Sequence, residues 1–268
     1  MVEQMASDEI MLKITGDPFW AENCEDVAFN TYPAATMPDF KALRYITSPN
    51  QVTSDAQNHH PGIDNSGPFL AMNPFSCRCC QHNHTQGWPY YAEHLVLATP
   101  DNGAALALYA SCQADITVGN NQKIKLIEKT NYPFEESIQL LVQTEKNVDF
   151  PLYLRIPSWS PDASIKINGK KVKTSLIAGQ YVRIQRTWSN DDVIELNVPM
   201  HLNLRTWQVN KNSVSIDYGP LTFSLKIQEK YIKRDSRQTA IGDSQWQNDA
   251  DAENWPSFEI FPASAWNY

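Results

Sequence analysis

The chain has 268 residues, 42% of them hydrophobic and 19% charged, which is enough apolar matter for a real core and excludes disorder throughout. With 30 Asp and Glu against 22 Lys and Arg it carries a net charge of −8, which argues against nucleic-acid backbones and anionic membrane surfaces as partners. No stretch approaches the roughly 20 apolar residues of a membrane-spanning helix, and no signal-peptide pattern opens the chain.

Residues 1–14 place Val2, Met5, Ala6, Met11, Leu12 and Ile14 in a helical rhythm. The chain enters this helix without a cap and stops in an aromatic run, "FEIFPASAWNY", so the expectation is a fragment of a longer protein. A Gly-Asp-Pro break follows, then a second helix from about Pro18 to Asn30, with Asp17 as N-cap and Pro18 at the first helical position. Residues 31–76 are rich in Pro, Asn, Ser and Asp and read as a long loop. A helix is predicted over much of Asn83–Leu97, with a kink at Pro89.

At "TPDNG" the apolar period changes from that of helices to that of strands. Short candidates follow at Ala104–Ser111, Ile116–Val118, Lys123–Lys129, Ser137–Gln143, Leu152–Ile156, Ser164–Ile167, Tyr181–Arg186, Val193–Val198, Leu202–Trp207, Ser213–Ile216 and Leu221–Ile227. Asn168-Gly169 marks a hairpin turn, and the alternation in "YVRIQRTW" and "VIELNV" fits strands with one buried face. Many short strands without intervening helices predict an antiparallel β-sandwich. Residues 228–268 carry no clear pattern. The fold class is therefore mainly β with a helical N-terminal part.

Chemistry concentrates in Ser76–Trp88, "SCRCCQHNHTQGW", which packs Cys77, Cys79, Cys80, His82 and His84 together. Five cysteines, three of them clustered, do not make a disulfide scaffold; metal binding or a reactive thiol fits better. Thiolate is both the nucleophilic and the metal-binding form of cysteine. An adjacent pair just ahead of a helix sits where backbone N–H groups favour negative charge. Zinc commonly takes four ligands, which a Cys-Cys pair cannot supply alone, and the C-x₂-C spacing of zinc fingers is absent. His82 and His84 read as surrounding or loop residues ahead of ligands, and Cys77 as a bystander. Cys24 and Cys112 read as buried small hydrophobes. Asn83-His84-Thr85 matches a glycosylation acceptor, a motif short enough to arise by chance.

"CCQHNHTQGWPYY" resembles the Cys-Cys-x-x-Asn-x-x-Gln-Gly-Trp-Pro signature found in one branch of glycoside hydrolase family 127, the β-L-arabinofuranosidases. "ITGDPFWAENCEDVAFNTYPAATMPDFKALRYITSPNQV" is similar to that family's last barrel helices and the loop after them. "LRIPSWS", "INGK", "GQYVRIQRTWSNDDVIELNVPM" and "YGPLTFSL" are similar to its β-sandwich. The resemblance implies the end of an (α/α)₆ barrel with the cysteine loop over residues 1–98, a β-sandwich over 99–227, and the start of further β structure over 228–268. It implies retaining hydrolysis of terminal β-L-arabinofuranosides, with Cys79 as nucleophile and zinc ligand and Cys80 as a second zinc ligand. Tyr45 falls near a substrate-contacting position.

The family's Glu-x-Cys zinc pair and its acid/base glutamate fall, by this resemblance, ahead of "VEQM". Glu3, Glu9 and Glu22 are candidates for the acid/base only by residue type. The expectation is a segment that binds zinc weakly and turns nothing over without a partner half of the barrel. Two other readings compete: a carbohydrate-binding or scaffold β-sandwich without catalysis, and a small Cys/His metal-binding protein.

Overall fold

The computed structural model describes residues 1–40, 43–44, 53–55, 71–72, 78–234 and 257–264. In chain order the helices and first strands are α1 (Val2–Thr15), α2 (Pro18–Asp26), a π turn at Val27–Thr31, α3 (Tyr32–Ala34), β1 (Leu43–Arg44), β2 (Ala71–Met72), α4 (Arg78–Thr85) and α5 (Gly87–Glu93). Strands follow: β3 (Val96–Ala98), β4 (Ala104–Leu106), β5 (Cys112–Val118), β6 (Gln122–Thr130), β7 (Ser137–Gln143), β8 (Val148–Ile156), β9 (Ser164–Ile167), β10 (Lys170–Lys171), β11 (Gln180–Trp188), β12 (Asp192–Asn197), β13 (Leu202–Trp207), β14 (Ser213–Tyr218), β15 (Leu221–Phe223), β16 (Glu229–Arg234) and β17 (Ser257–Pro262). No helix among the described residues is long and apolar enough to cross a membrane.

These elements form two compact units, residues 1–30 with 87–224, and residues 31–86 with 225–268. In the first, a six-stranded sheet (β10-β9-β12-β7-β6-β5) and a four-stranded sheet (β11-β8-β4-β3) share one apolar core. Leu126, Leu140, Ile194 and Leu196 come from the first sheet, and Leu106, Phe150, Leu152, Leu154 and Trp188 from the second. The pairings are antiparallel except that β4 runs parallel to β8, a departure from the purely antiparallel expectation. A parallel neighbour needs a long crossover, and the β5–β6–β7 meander of the opposite sheet supplies it.

The start of α2 follows from its sequence. The Asp17 side chain accepts a hydrogen bond from Phe19 N–H at 2.9 Å, and Pro18 has no N–H to satisfy. Gly16 closes α1 in the left-handed region at φ +66°, where a side chain would be strained. The predicted helix over 83–97 is instead two helices and a strand. Pro89 sits in the first turn of α5, where a missing N–H costs nothing, so the break comes at Gln86, and Val96–Ala98 pairs with β4.

Gly103 leads into β4 against a tight neighbour: a Cβ there would lie 2.2 Å from the Pro151 carbonyl oxygen. That is backbone and cannot swing aside. Gly103→Ala should cost about 1–3 kcal/mol through overpacking, read as a lower urea midpoint at an unchanged slope; an unchanged midpoint refutes the close approach.

The three-stranded sheet β13-β14-β15 has its polarity reversed from the usual apolar-in, polar-out pattern. Arg205 bonds Asp26 of α2 at 2.9 Å, and Asn30 bonds both the Thr222 N–H and the Pro220 carbonyl. The register puts Leu202, Leu204, Val214, Ile216 and Phe223 together on the other face, where all are exposed.

In the second unit, β1 pairs with β2 and β16 with β17, and Ser54 bridges Ile260. Met37 and Ile260 are buried there, with Phe258 against them.

Candidate functional site

The adjacent cysteines fall inside a helix, not ahead of one: α4 begins at Arg78, so Cys79 and Cys80 occupy its first turn. The sequence hid this start because Arg78 through His82 carry neither cap nor apolar period. First-turn N–H groups have no intrahelical acceptor, and their partial positive charge favours an anion such as thiolate. Cys80 is half-buried. Cys77 and Tyr45 lie outside the described residues.

The two histidines part company. His82 is exposed. His84 stacks on Tyr32 with ring centroids 4.2 Å apart, and the Tyr32 hydroxyl donates to its backbone carbonyl at 2.6 Å. Burial lowers the His84 pKa, so its ring is neutral at pH 7. Tyr32 thus tethers the end of α4 to the segment after α2. Asn83 and Thr85 are exposed, so the Asn83-His84-Thr85 acceptor is accessible, although it sits in a helix.

The remaining thiols are not activated. Cys24 is fully buried and its thiol donates to Glu9 Oε1 at 3.6 Å; burial, then the Glu9 and Glu25 charges, push its pKa far up. Cys112 is half-buried in β5, its pKa pushed up to about 11 by burial and by Glu128. Both stay protonated at neutral pH and are inert as nucleophiles. The small-hydrophobe reading holds for Cys24, whereas Cys112 is partly exposed.

The glutamates singled out by residue type have other partners. Glu3 is exposed on α1. Glu9 is buried between Cys24 and His94, whose Nδ1 lies 2.9 Å from Glu9 Oε2. That contact raises the His94 pKa against the opposing effect of burial. Glu22 accepts the N–H and hydroxyl of Ser158.

A second buried cluster escaped the sequence reading. Arg155 of β8, fully buried, donates to Glu25 of α2 through Nη2 and to the Ala107 carbonyl through Nε at 2.7 Å. The Tyr132 hydroxyl donates to the other Glu25 oxygen at 2.8 Å. Burial pushes the Glu25 pKa up, while Arg155 and Tyr132 pull it back. The available signal was an arginine in the apolar run "LYLRIP", where an exposed face was the default reading.

Among the described residues no group of three or more His, Cys, Asp or Glu side chains is placed to hold a metal ion. Zinc typically takes four donors. A cysteine pair such as Cys79-Cys80 is suitable in kind and amounts to two donors of the four; the Cys79 side chain lies outside the described part.

Residues 1–93 match the family model described as β-L-arabinofuranosidase, GH127 catalytic domain, and residues 103–200 the one described as the GH127 middle domain. Three solved structures are similar. One is a glycoside hydrolase, 24% identical over 86% of this chain and 36% of its own, with a TM-score of 0.69. A GH127 β-L-arabinofuranosidase from Geobacillus stearothermophilus T6 is 20% identical over 99% of this chain and 47% of its own, TM-score 0.69. A GH127 β-arabinofuranosidase is 20% identical over 86% and 39%, TM-score 0.66. The chain thus spans less than half the length of each of these structures. Comparison with curated proteins gives no match.

Proposed function

The chain belongs to glycoside hydrolase family 127, and from that membership we propose that it supplies the nucleophile-bearing part of a retaining glycosidase for terminal β-L-arabinofuranosides or a related plant-glycan sugar. The observation that carries the reading is the Cys79-Cys80 pair in the first turn of α4, within the stretch that matches the catalytic-domain model. On this reading the helices within residues 1–98 are the end of an (α/α)₆ barrel, residues 99–227 are the sandwich beside it, and 228–268 begin further β structure.

Cys79 is the proposed nucleophile. Its thiolate, favoured by the positive end of the helix dipole, attacks the anomeric carbon. The glycosidic C–O bond breaks, and the leaving oxygen takes a proton from a carboxylic acid. The resulting carboxylate then deprotonates a water that displaces the sulfur, so the anomeric configuration is retained, as in two-carboxylate glycosidases with sulfur in place of one carboxylate. Tyr45 is proposed to contact the sugar. The acid/base glutamate is not assigned, because Glu9, Glu22 and Glu25 are already engaged in the contacts above. Zinc held by Cys79 and Cys80, with two further donors, is part of the proposal for a complete site. No step is derived through it, because no group of three or more potential ligands stands among the described residues.

The test uses residues 1–268 as they stand. Zinc per chain is measured after dialysis against a weak chelator, and an aryl β-L-arabinofuranoside is assayed. The expected result is well below one zinc per chain and no turnover, because two donors forgo the multi-ligand free energy of a closed site and a missing positioned acid costs about 10²–10⁴ in rate. One zinc per chain together with turnover would show that these residues complete the site. The competing reading, a sandwich that binds carbohydrate without catalysis, predicts retention on an arabinan column that Cys79→Ser leaves unchanged.

A further inference from the structure

Strand β6 alternates cleanly, and its inward positions are Ile124, Leu126 and Glu128, so a carboxyl occupies a place the pattern reserves for an apolar side chain. Glu128 is 1% exposed, and among the described residues no side chain bonds either carboxyl oxygen; the Ala110 amide bears on it, outside good hydrogen-bond geometry. An ionised carboxylate so poorly served by donors is far costlier than the neutral acid.

The neighbours do not relieve it. Its cross-strand partners are Cys112 on β5 and Leu140 on β7, neither of them a cation. From α2 the Glu25 charge bears on it unfavourably, and from β8 Arg155 bears on it favourably. Tyr109, beside Arg155, is buried and neutral. The arginine is already committed to Glu25 and to the Ala107 carbonyl. Among the described residues its Nη1 has no hydrogen-bond partner, with the Glu22 carboxylate 4.0 Å away.

We propose that Glu128 is a proton-dependent latch: the sandwich closes around its neutral carboxyl, and loss of that proton opens the packing around β6. Once charged, Glu128 is a second buried anion near the Glu25 charge, and Arg155 is already committed to Glu25 and to the Ala107 carbonyl. The device sets an alkaline limit on the folded state and is independent of the cysteine chemistry.

Burial holds the Glu128 pKa well above the ordinary carboxylate range, with the Ala110 amide and Arg155 opposing. The sign follows. In the folded state the group keeps its proton above the pH at which the unfolded chain loses it. Stability is therefore full below the unfolded pKa of about 4.3 and falls as pH rises toward the folded value. Across that window the unfolding constant rises by up to about tenfold per pH unit.

The experiment is urea unfolding of the full chain at half-unit steps from about pH 5 to pH 9, wild type beside Glu128→Gln and Glu128→Leu. The wild-type unfolding constant should rise with pH relative to both variants, by up to about tenfold per unit. Groups that do not bear on Glu128, His94 among them, titrate alike in all three proteins and cancel in the ratio. Parallel curves overturn the proposal. Should neither variant fold, infrared difference spectra of the wild type decide. Between pH 5 and pH 9, a protonated-carboxyl C=O band that fades together with the loss of folded signal supports the latch. The absence of such a band in the folded protein at pH 7 overturns it.

Discussion

On the proposed mechanism, replacing Cys79 by serine in a catalytically competent protein that contains this chain should lower turnover of an aryl β-L-arabinofuranoside by about 10⁴-fold or more while the fold survives. The magnitude is that of removing a nucleophile that acts as one unit with its partners. The cause is acidity: in the first turn of α4 a thiol is drawn toward thiolate, whereas a serine hydroxyl remains protonated at the same place. Sulfur is also the stronger nucleophile at neutral pH. Cys24→Ser is the matched control, because that thiol is buried, protonated and bonded to Glu9, and its loss should touch stability before rate. Near wild-type turnover in a folded Cys79→Ser protein would remove the nucleophile assignment.

Arg155→Met should destabilise the first unit by about 3–5 kcal/mol, the cost of leaving one member of a buried ion pair without the other. Both side chains are at most 1% exposed, so water does not screen the pair. The substitution strands the Glu25 carboxyl with only the Tyr132 hydroxyl for company, and it leaves the Ala107 carbonyl without its donor. The double variant Arg155→Met with Glu25→Leu should recover much of the loss, since apolar side chains of similar volume replace buried pairs at little cost. Urea midpoints of the three variants measure this. Additive effects of the two single changes would show that the pair is not coupled.

Where the local pattern was strong, the sequence was readable. Asp17-Pro18 foretold the start of α2 because both effects act within two residues. Asn168-Gly169 foretold the β9–β10 turn because both residues take positive φ there. The change of period at "TPDNG" marked the passage into strands, and the stretch 114–207 holds no α-helix. The failures have physical reasons too. "HLVLA" suits a helix end or a strand equally, and pairing with β4 decides for the strand. Arg155 points away from the sandwich core, as alternation says, but α2 covers it, and no local pattern carries that tertiary fact. Glu128 was legible and passed over: its place in step with Ile124 and Leu126 was the signal. Of the site itself, the cysteine pair was conspicuous, while its position inside α4 was not.

The Arg155–Glu25 pair also bears on how such chains can be recombined. The two family models meet between residues 93 and 103, a natural seam for cutting and grafting modules. The contacts do not respect that seam: residues 1–30 belong with residues 87–224, α2 reaches β8 through a buried charge and β13 through Arg205, and the π turn after it reaches the turn before β15 through Asn30. A chimera that takes its helices from one homologue and its sandwich from another must therefore inherit both halves of the pair together, or it will carry an orphaned ion at the joint. The heritable module runs from α2 through β8, and a crossover point is better placed beyond Arg155, as in the β9–β10 turn at Asn168-Gly169.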